Sequence, residues 1–322
     1  MGNPALWVIF NLAVLLLLAL DLGVINRRAH AVSLREALGW SVLWVVLSLG
    51  FCLWIYKTRG PEPSLQFLTG YLIEKSLSVD NVFLFVLLFK YFSIEPRYQH
   101  RVLYWGILGA LVMRGAMIGL GSALIHRFEW VLYLFGLFLV FAGTRMFLQR
   151  EIKAEPERNP LVRAARRFFP VTAETHGQHF LIREAGRWAA TPLLLALLVI
   201  ESTDIAFALD SIPAVFSVTR DPFIIYTSNV CAILGLRAFY FLLAGVLPYF
   251  RYLGRGLAAV LVLVGLKMLS APWLKLPTSL TLTGVAVILG IAVGASILEA
   301  RREKALADKA MRREDSASSG AH

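Results

Sequence analysis

The sequence predicts an all-α polytopic membrane protein of about nine transmembrane helices, and three observations carry that prediction. Nine windows are apolar over the roughly 20 residues that a bilayer crossing takes. The chain of 322 residues is 58% hydrophobic and 16% charged, with a mean hydropathy of +0.67, too apolar for a soluble domain of this length. Two of the apolar windows carry clustered acids, and these recur in the same order further along the chain.

The windows are Leu6–Val24, Ala37–Tyr56, Gln66–Phe92, Val102–Ile125, Trp130–Leu148, Leu193–Val218, Phe223–Pro248, Gly256–Leu274 and Leu280–Leu298. The first is read as a retained helix, because residues 1–10 hold no Lys or Arg and no small-residue cleavage site follows. Residues 1–300 thus form a transmembrane domain, with a basic cytoplasmic loop at 149–191 and a cytoplasmic tail at 301–322. Within the loop, HFLIREAGRW alternates as a short hairpin does, and the tail is expected to begin as a charged helix and end disordered. His176 and His179 have metal-ligand spacing, but no second pair accompanies them, which favours a solvated loop.

The positive charges fix an orientation. With the N-terminus outside, the inner segments hold 23 of the 32 Lys and Arg residues and the outer segments five. Lys75, Arg114, Arg237 and Lys267 lie within or at the ends of spans. The bias predicts N-terminus out and C-terminus in. The formal net charge of +11 is distributed over these short segments, a pattern that suits anionic lipid and gives nucleic acid no footprint. Cys52 and Cys231 both fall in apolar windows and read as small buried hydrophobes.

The sixth window, LLLALLVIESTDIAFALDSIPAVFSV, is the exception to its own class. It places Glu201, Asp204 and Asp210 at membrane depth, where each charge costs at least ~2.5–3.5 kcal/mol on insertion scales. The third window matches it: Glu74, five residues, Asp80 and Asn81 against Asp204, five residues, Asp210 and Ser211. Each following window carries one buried arginine, Arg114 or Arg237. The windows after those carry FAGT-Arg145-Met146 and LVGL-Lys267-Met268. Three marks in one order define two repeats, about 66–148 and 193–274, that enter the membrane from opposite sides. Inverted repeats of this kind place a substrate site near the midplane.

Positions seven apart share a helical stripe, so Glu74 aligns with Asn81 and Asp204 with Ser211. Asp80 and Asp210 point about 120° away unless the helix is interrupted, and Pro213 predicts such an interruption in the sixth window. The deep acids Glu74, Asp80, Glu201, Asp204 and Asp210 exceed the deep bases Lys75, Arg114 and Arg237 by two charges. One divalent cation or two protons would balance them. With Asn81, Ser211, Asn229 and backbone carbonyls as further candidate ligands and no Cys or His, the donor set suits Mn²⁺, Mg²⁺ or Ca²⁺. The arginines are expected to position Asp80 and Asp210 or to reset the empty site. Lys267 joins the charge-balancing set. Asp21, at the inner end of the first window, reads equally as a gate or as a helix-end residue.

With these residues in hand, the chain resembles the TerC family of integral membrane proteins, in its Alx-like branch. The resemblance lies in FLTGYLIEKSLSVDNVFLF, ESTDIAFALDSIPAVFSVTRDPFIIYTSN, AILGLRAFYFLLAGV, VGLKML and DLGVINRRAHAVSLREAL. It implies an inner-membrane exporter of manganese that protects against metal excess, in a family with an older tellurium-resistance label. It further implies metal-site residues at Glu74, Asp80, Asn81, Glu201, Asp204, Asp210 and Ser211. Proton or sodium would be the exchanged counter-ion. The competing expectation is a membrane scaffold or accessory protein for metal or tellurite stress, its buried acids structural. No nucleophile–base pair points to an enzyme.

Overall fold

The computed structural model describes residues 4–20, 33–148, 159–168, 170–172, 177–184, 187–244, 252–274 and 276–319, without the side chains of Asp80, Phe168 and 303–319. Eleven helices and one hairpin fill them. They are α1 (Pro4–Leu20), α2 (Leu34–Arg59), α3 (Pro61–Tyr91), α4 (Pro96–Arg127), α5 (Val131–Leu148), α6 (Pro160–Phe168), β1 (Leu181–Glu184), β2 (Arg187–Ala190), α7 (Pro192–Phe216), α8 (Pro222–Leu234), α9 (Leu236–Ala244), α10 (Leu253–Ser270) and α11 (Thr278–Ser319).

Each of the nine apolar windows carries helix among the described residues. Among the described residues, α2, α4, α5, α7, α10 and Thr278–Arg302 of α11 are long and apolar enough to cross a membrane. α8 and α9 make a seventh span if their 43° bend is counted as one broken helix. α1 has 17 described residues, and α3, though 31 residues long, carries Glu74, Lys75 and Asp80 close together. The chain is therefore an all-α polytopic membrane protein with six long apolar helices among the described residues, or seven with the bent pair.

Local chemistry sets the helix starts. α3, α4, α7 and α8 each have proline in the first turn, where the missing N–H has no intrahelical partner to lose. Ser33 caps α2 by accepting from the Glu36 N–H, and Asp221 caps α8 by accepting from the Phe223 N–H at 2.9 Å. Arg59, at the end of α2, closes an ion pair of 2.9 Å with Asp221 and lies over the Phe223 ring. Gly60 joins α2 to α3 at φ 94°, a left-handed conformation that favours glycine.

Two expectations are corrected. α7 runs through Pro213 without a break. The proline sits in the last turn, so the hydrogen bond it removes is near the helix end and the axis need not kink. The interruption lies one span later, at Gly235 between α8 and α9. The tail, expected to end disordered, continues α11 as helix to Ser319. The expected hairpin is present: β1 and β2 pair antiparallel, Leu181 opposite Ala190 and Glu184 opposite Arg187.

The bundle is built on close approaches. α3 packs on α8, α4 on α7, and α5 along the length of α10. A Cβ on Gly143 would stand 2.7 Å from the Ala258 carbonyl oxygen, and one on Gly265 would stand 2.7 Å from that of Gly136. Small residues here let two backbones meet, the usual device where lipid removes the hydrophobic drive for helix pairing.

Candidate functional site

The centre of the bundle holds a buried ionic network contributed by four helices. Arg114 of α4 is 2% exposed, Glu74 of α3 is 1% exposed and Asp204 of α7 is 5% exposed. The Arg114 guanidinium donates through Nη1 to Glu74 Oε1 and through Nη2 to Asp204 Oδ1 at 3.3 Å, with Nε 3.5 Å from Asp204 Oδ2. Nη1 also lies 3.1 Å from Asn229 Oδ1 of α8 and 3.4 Å from Ser211 Oγ. Asn229 Nδ2 donates to Glu74 Oε2 at 2.8 Å, and Asn81 Nδ2 to Asp204 Oδ1 at 3.3 Å.

Two carboxylates share one guanidinium, so the ionised network carries a net charge of −1. Buried charges persist only when paired and hydrogen-bonded. Every oxygen of both acids has such a partner, whereas Asn81 Oδ1 is buried and accepts no hydrogen bond among the described residues. A carbonyl oxygen beside a net-negative cluster is the kind of donor a hard cation takes. In this conformation, however, the space between Glu74 and Asp204 belongs to Arg114. Among the described residues, no group of three or more His, Cys, Asp and Glu side chains is placed to hold a metal.

The other expected site residues divide. Glu201 is half-buried one turn before Asp204; its carboxylate lies over Gly109 of α4, where a Cβ would collide with it. Neither Glu201 nor Asp210 has an ion pair among the described residues, and the cation that faces Asp210 is Arg145 of α5. Arg114, expected to position Asp80 and Asp210 or to reset the empty site, binds Glu74, Asp204 and Ser211 among the described residues. Arg237 lines a small cavity with Glu36, Trp40, Trp44 and His100. Lys75 turns from Glu74 toward α8, donating to the Ala232 carbonyl at 3.4 Å. Lys267 is half-buried on α10 and faces Glu62. Asp21, His176 and the side chain of Asp80 lie outside the described residues.

Asn229 has more contacts in the network than its place among the expected ligands suggested, since it is fully buried and bonds both Glu74 and Arg114. An amide in an apolar helix was the available signal. Gly109 gave a weaker one, five residues before Arg114 in LGALVMRG. Asn159 gave none; it caps α6 and donates to Ser202 of α7 at 2.5 Å, tying the loop to the helix beside Glu201.

Long apolar helices closed around a buried, net-negative network define a polytopic integral membrane protein built around charge. Residues 59–305 match the family model described as "Integral membrane protein TerC family", and the chain belongs to that family of integral membrane proteins. It is 53% identical over 300 residues to an uncharacterized membrane protein of Myxococcus xanthus, covering 93% of this chain and 94% of that one. Proteins provisionally named membrane-bound redox modulator Alx are also similar. That of Salmonella typhi is 50% identical over 90% of this chain and 93% of its own, and that of Escherichia coli K12 is 48% identical over 93% and 95%. No solved structure matches.

Proposed function

We propose that this protein exports divalent cations, Mn²⁺ first among them, across the inner membrane by alternating access of two inverted repeats. Glu74, Asp80, Asn81, Glu201, Asp204, Asp210 and Ser211 supply the oxygen ligands along the route. The observation that carries the reading is the buried pair Glu74 and Asp204: equivalent positions of the two repeats, brought to one arginine at the centre of the bundle. Arg114 acts as the tethered cation of the ion-free state. It neutralises the acids when cargo has left and withdraws when cargo binds, so the site never stands as two bare carboxylates.

The packing supports the repeat. α3 meets α8 as α7 meets α4, and α5 meets α10, which is the pairing that exchange of two inverted halves requires. Gly143 matches Gly265 in the repeat, and Gly136 matches Ala258. The contact of Gly143 with Ala258 and that of Gly265 with Gly136 are thus one contact seen from both halves. Nine spans, with the N-terminus outside and the C-terminus in the cytoplasm, complete the topology. Proton or sodium moves in exchange.

A second reading has its own observation. Arg114 saturates both acids, as a structural lock in a scaffold or accessory protein for metal or tellurite stress would. Purified protein in liposomes separates the two. The exporter moves Mn²⁺ down an imposed gradient, and Asp204→Asn abolishes the flux while the protein still reconstitutes. Absence of Mn²⁺ flux from well-folded wild type, with Asp204→Asn simply failing to accumulate, would leave the scaffold standing.

A further inference from the structure

Lys75 is a deep cation that the acid network does not use. Its Nζ donates to the Ala232 carbonyl in the last turn of α8, 3.4 Å away, and sits 4.6 Å from the centre of the Phe239 ring on α9. A Cβ on Gly235, the residue between the two helices, would stand 3.2 Å from the same nitrogen and 3.1 Å from Trp44 Cβ. No carboxylate pairs with Lys75 among the described residues.

A break inside a membrane-spanning helix frees carbonyls at the end of its first half, and lipid offers them no donor. The half-helix end also carries the negative pole of the dipole. Broken helices in transporters meet this demand with a bound monovalent cation at the carbonyl end. Here an ammonium from the neighbouring helix stands there, with an aromatic face completing its shell.

The repeat supplies an independent comparison. Lys75 follows Glu74, and its equivalent after Asp204 is Ile205, which is 46% exposed and carries no charge. The helix that packs on α7 is α4, continuous from Pro96 to Arg127. The repeat that supplies Lys75 packs against a broken helix of the other repeat, and the repeat with Ile205 in its place packs against an unbroken one.

We propose that the Lys75 ammonium is a resident monovalent cation that holds the α8–α9 break, so the bundle requires no sodium ion there. The claim concerns the fold and its ion requirement and holds whatever cargo the protein carries. It also removes the α8–α9 break as the place where a sodium counter-ion would bind.

The test is thermal unfolding of the purified full chain, followed by tryptophan fluorescence, at constant ionic strength. Wild type should melt at the same temperature in sodium chloride and choline chloride. Lys75→Met, which keeps the stem and removes the charge, should melt several degrees lower. Lys75→Ala should melt lower still and recover in n-propylammonium chloride, which replaces the severed Cγ to Nζ, but not in choline chloride. A wild-type midpoint that rises with sodium would overturn the proposal without any variant. So would Lys75→Met melting with wild type, or Lys75→Ala gaining nothing from n-propylammonium.

Discussion

Gly265 lies against the backbone of Gly136, so close that a Cβ on Gly265 would stand 2.7 Å from the Gly136 carbonyl oxygen and 2.8 Å from Val140 Cγ2. Backbone cannot yield as a side chain can, so a residue with a Cβ must drive α5 and α10 apart. Overpacking of this kind costs about 1–3 kcal/mol or more. Gly265→Val and Gly143→Val should each lower the melting temperature and the yield of monodisperse protein. Gly290→Val and Gly39→Val, where nothing lies within 4 Å, should leave both near wild type. Size-exclusion profiles after graded heating would compare them.

Arg114 holds the only guanidinium that reaches Glu74 and Asp204 among the described residues. Arg114→Gln leaves both carboxylates buried without a cation, a loss of about 3–5 kcal/mol for removing one partner of a buried pair. A cation that binds the vacated acids restores stability by mass action, about 2.7 kcal/mol at a hundred times its Kd. The exporter reading therefore expects Mn²⁺ to raise the melting temperature of Arg114→Gln more than that of wild type. Equal and negligible shifts in the two would favour the structural lock.

How much of this was written in the sequence depends on which physical signal each feature leaves. Apolar length is local, so every predicted window carries helix among the described residues. The acids of α3 and α7 were legible because charge at membrane depth has few explanations. Which base meets which acid was not legible, because that depends on helix rotation: Arg114 turns to Glu74 and Asp204, whereas Arg237, the arginine expected to match it, lines the cavity beside Trp44. Pro213 misled for a related reason. Pro213 removes one hydrogen bond, to the Leu209 carbonyl, but only three residues of α7 follow it, so little helix is left to deflect. The real break follows Gly235, whose signal is weak until Lys75 is seen beside it.

Asp210 and Asp204 sit on one helix but should respond differently to neutralisation. Asp204 is tied to Arg114 and Asn81, whereas Asp210 is half-buried and has no ion pair among the described residues. Asp204→Asn should destabilise the protein by about 1.5–3 kcal/mol, the loss of a hydrogen-bonded charge, since Arg114 keeps Glu74 as its partner. Asp210→Asn should stay within about 1 kcal/mol of wild type, as substitutions away from packed networks do. If Asp210 is a ligand on the cation route, cells carrying Asp210→Asn at normal membrane levels should still accumulate manganese. Immunoblots of membranes beside cellular manganese content would read both quantities.

Gly109 is the strictest geometric demand near the route, because the Glu201 carboxylate occupies the space over it. The group in the way is the far end of a flexible side chain, so Gly109→Ala should move the carboxylate and leave the helices where they are. Stability should change by less than about 1 kcal/mol, since alanine also favours helix over glycine by a comparable amount. Flux should nevertheless fall, to the level of Glu201→Gln, if the carboxylate must stand beside Asp204 for a cation to pass between them. Combining Gly109→Ala with Glu201→Gln should then lose little more than either alone, because both act on one group. Additive losses would mean that Gly109 matters for another reason, such as the approach of α4 to α7, and that Glu201 does not work from this slot.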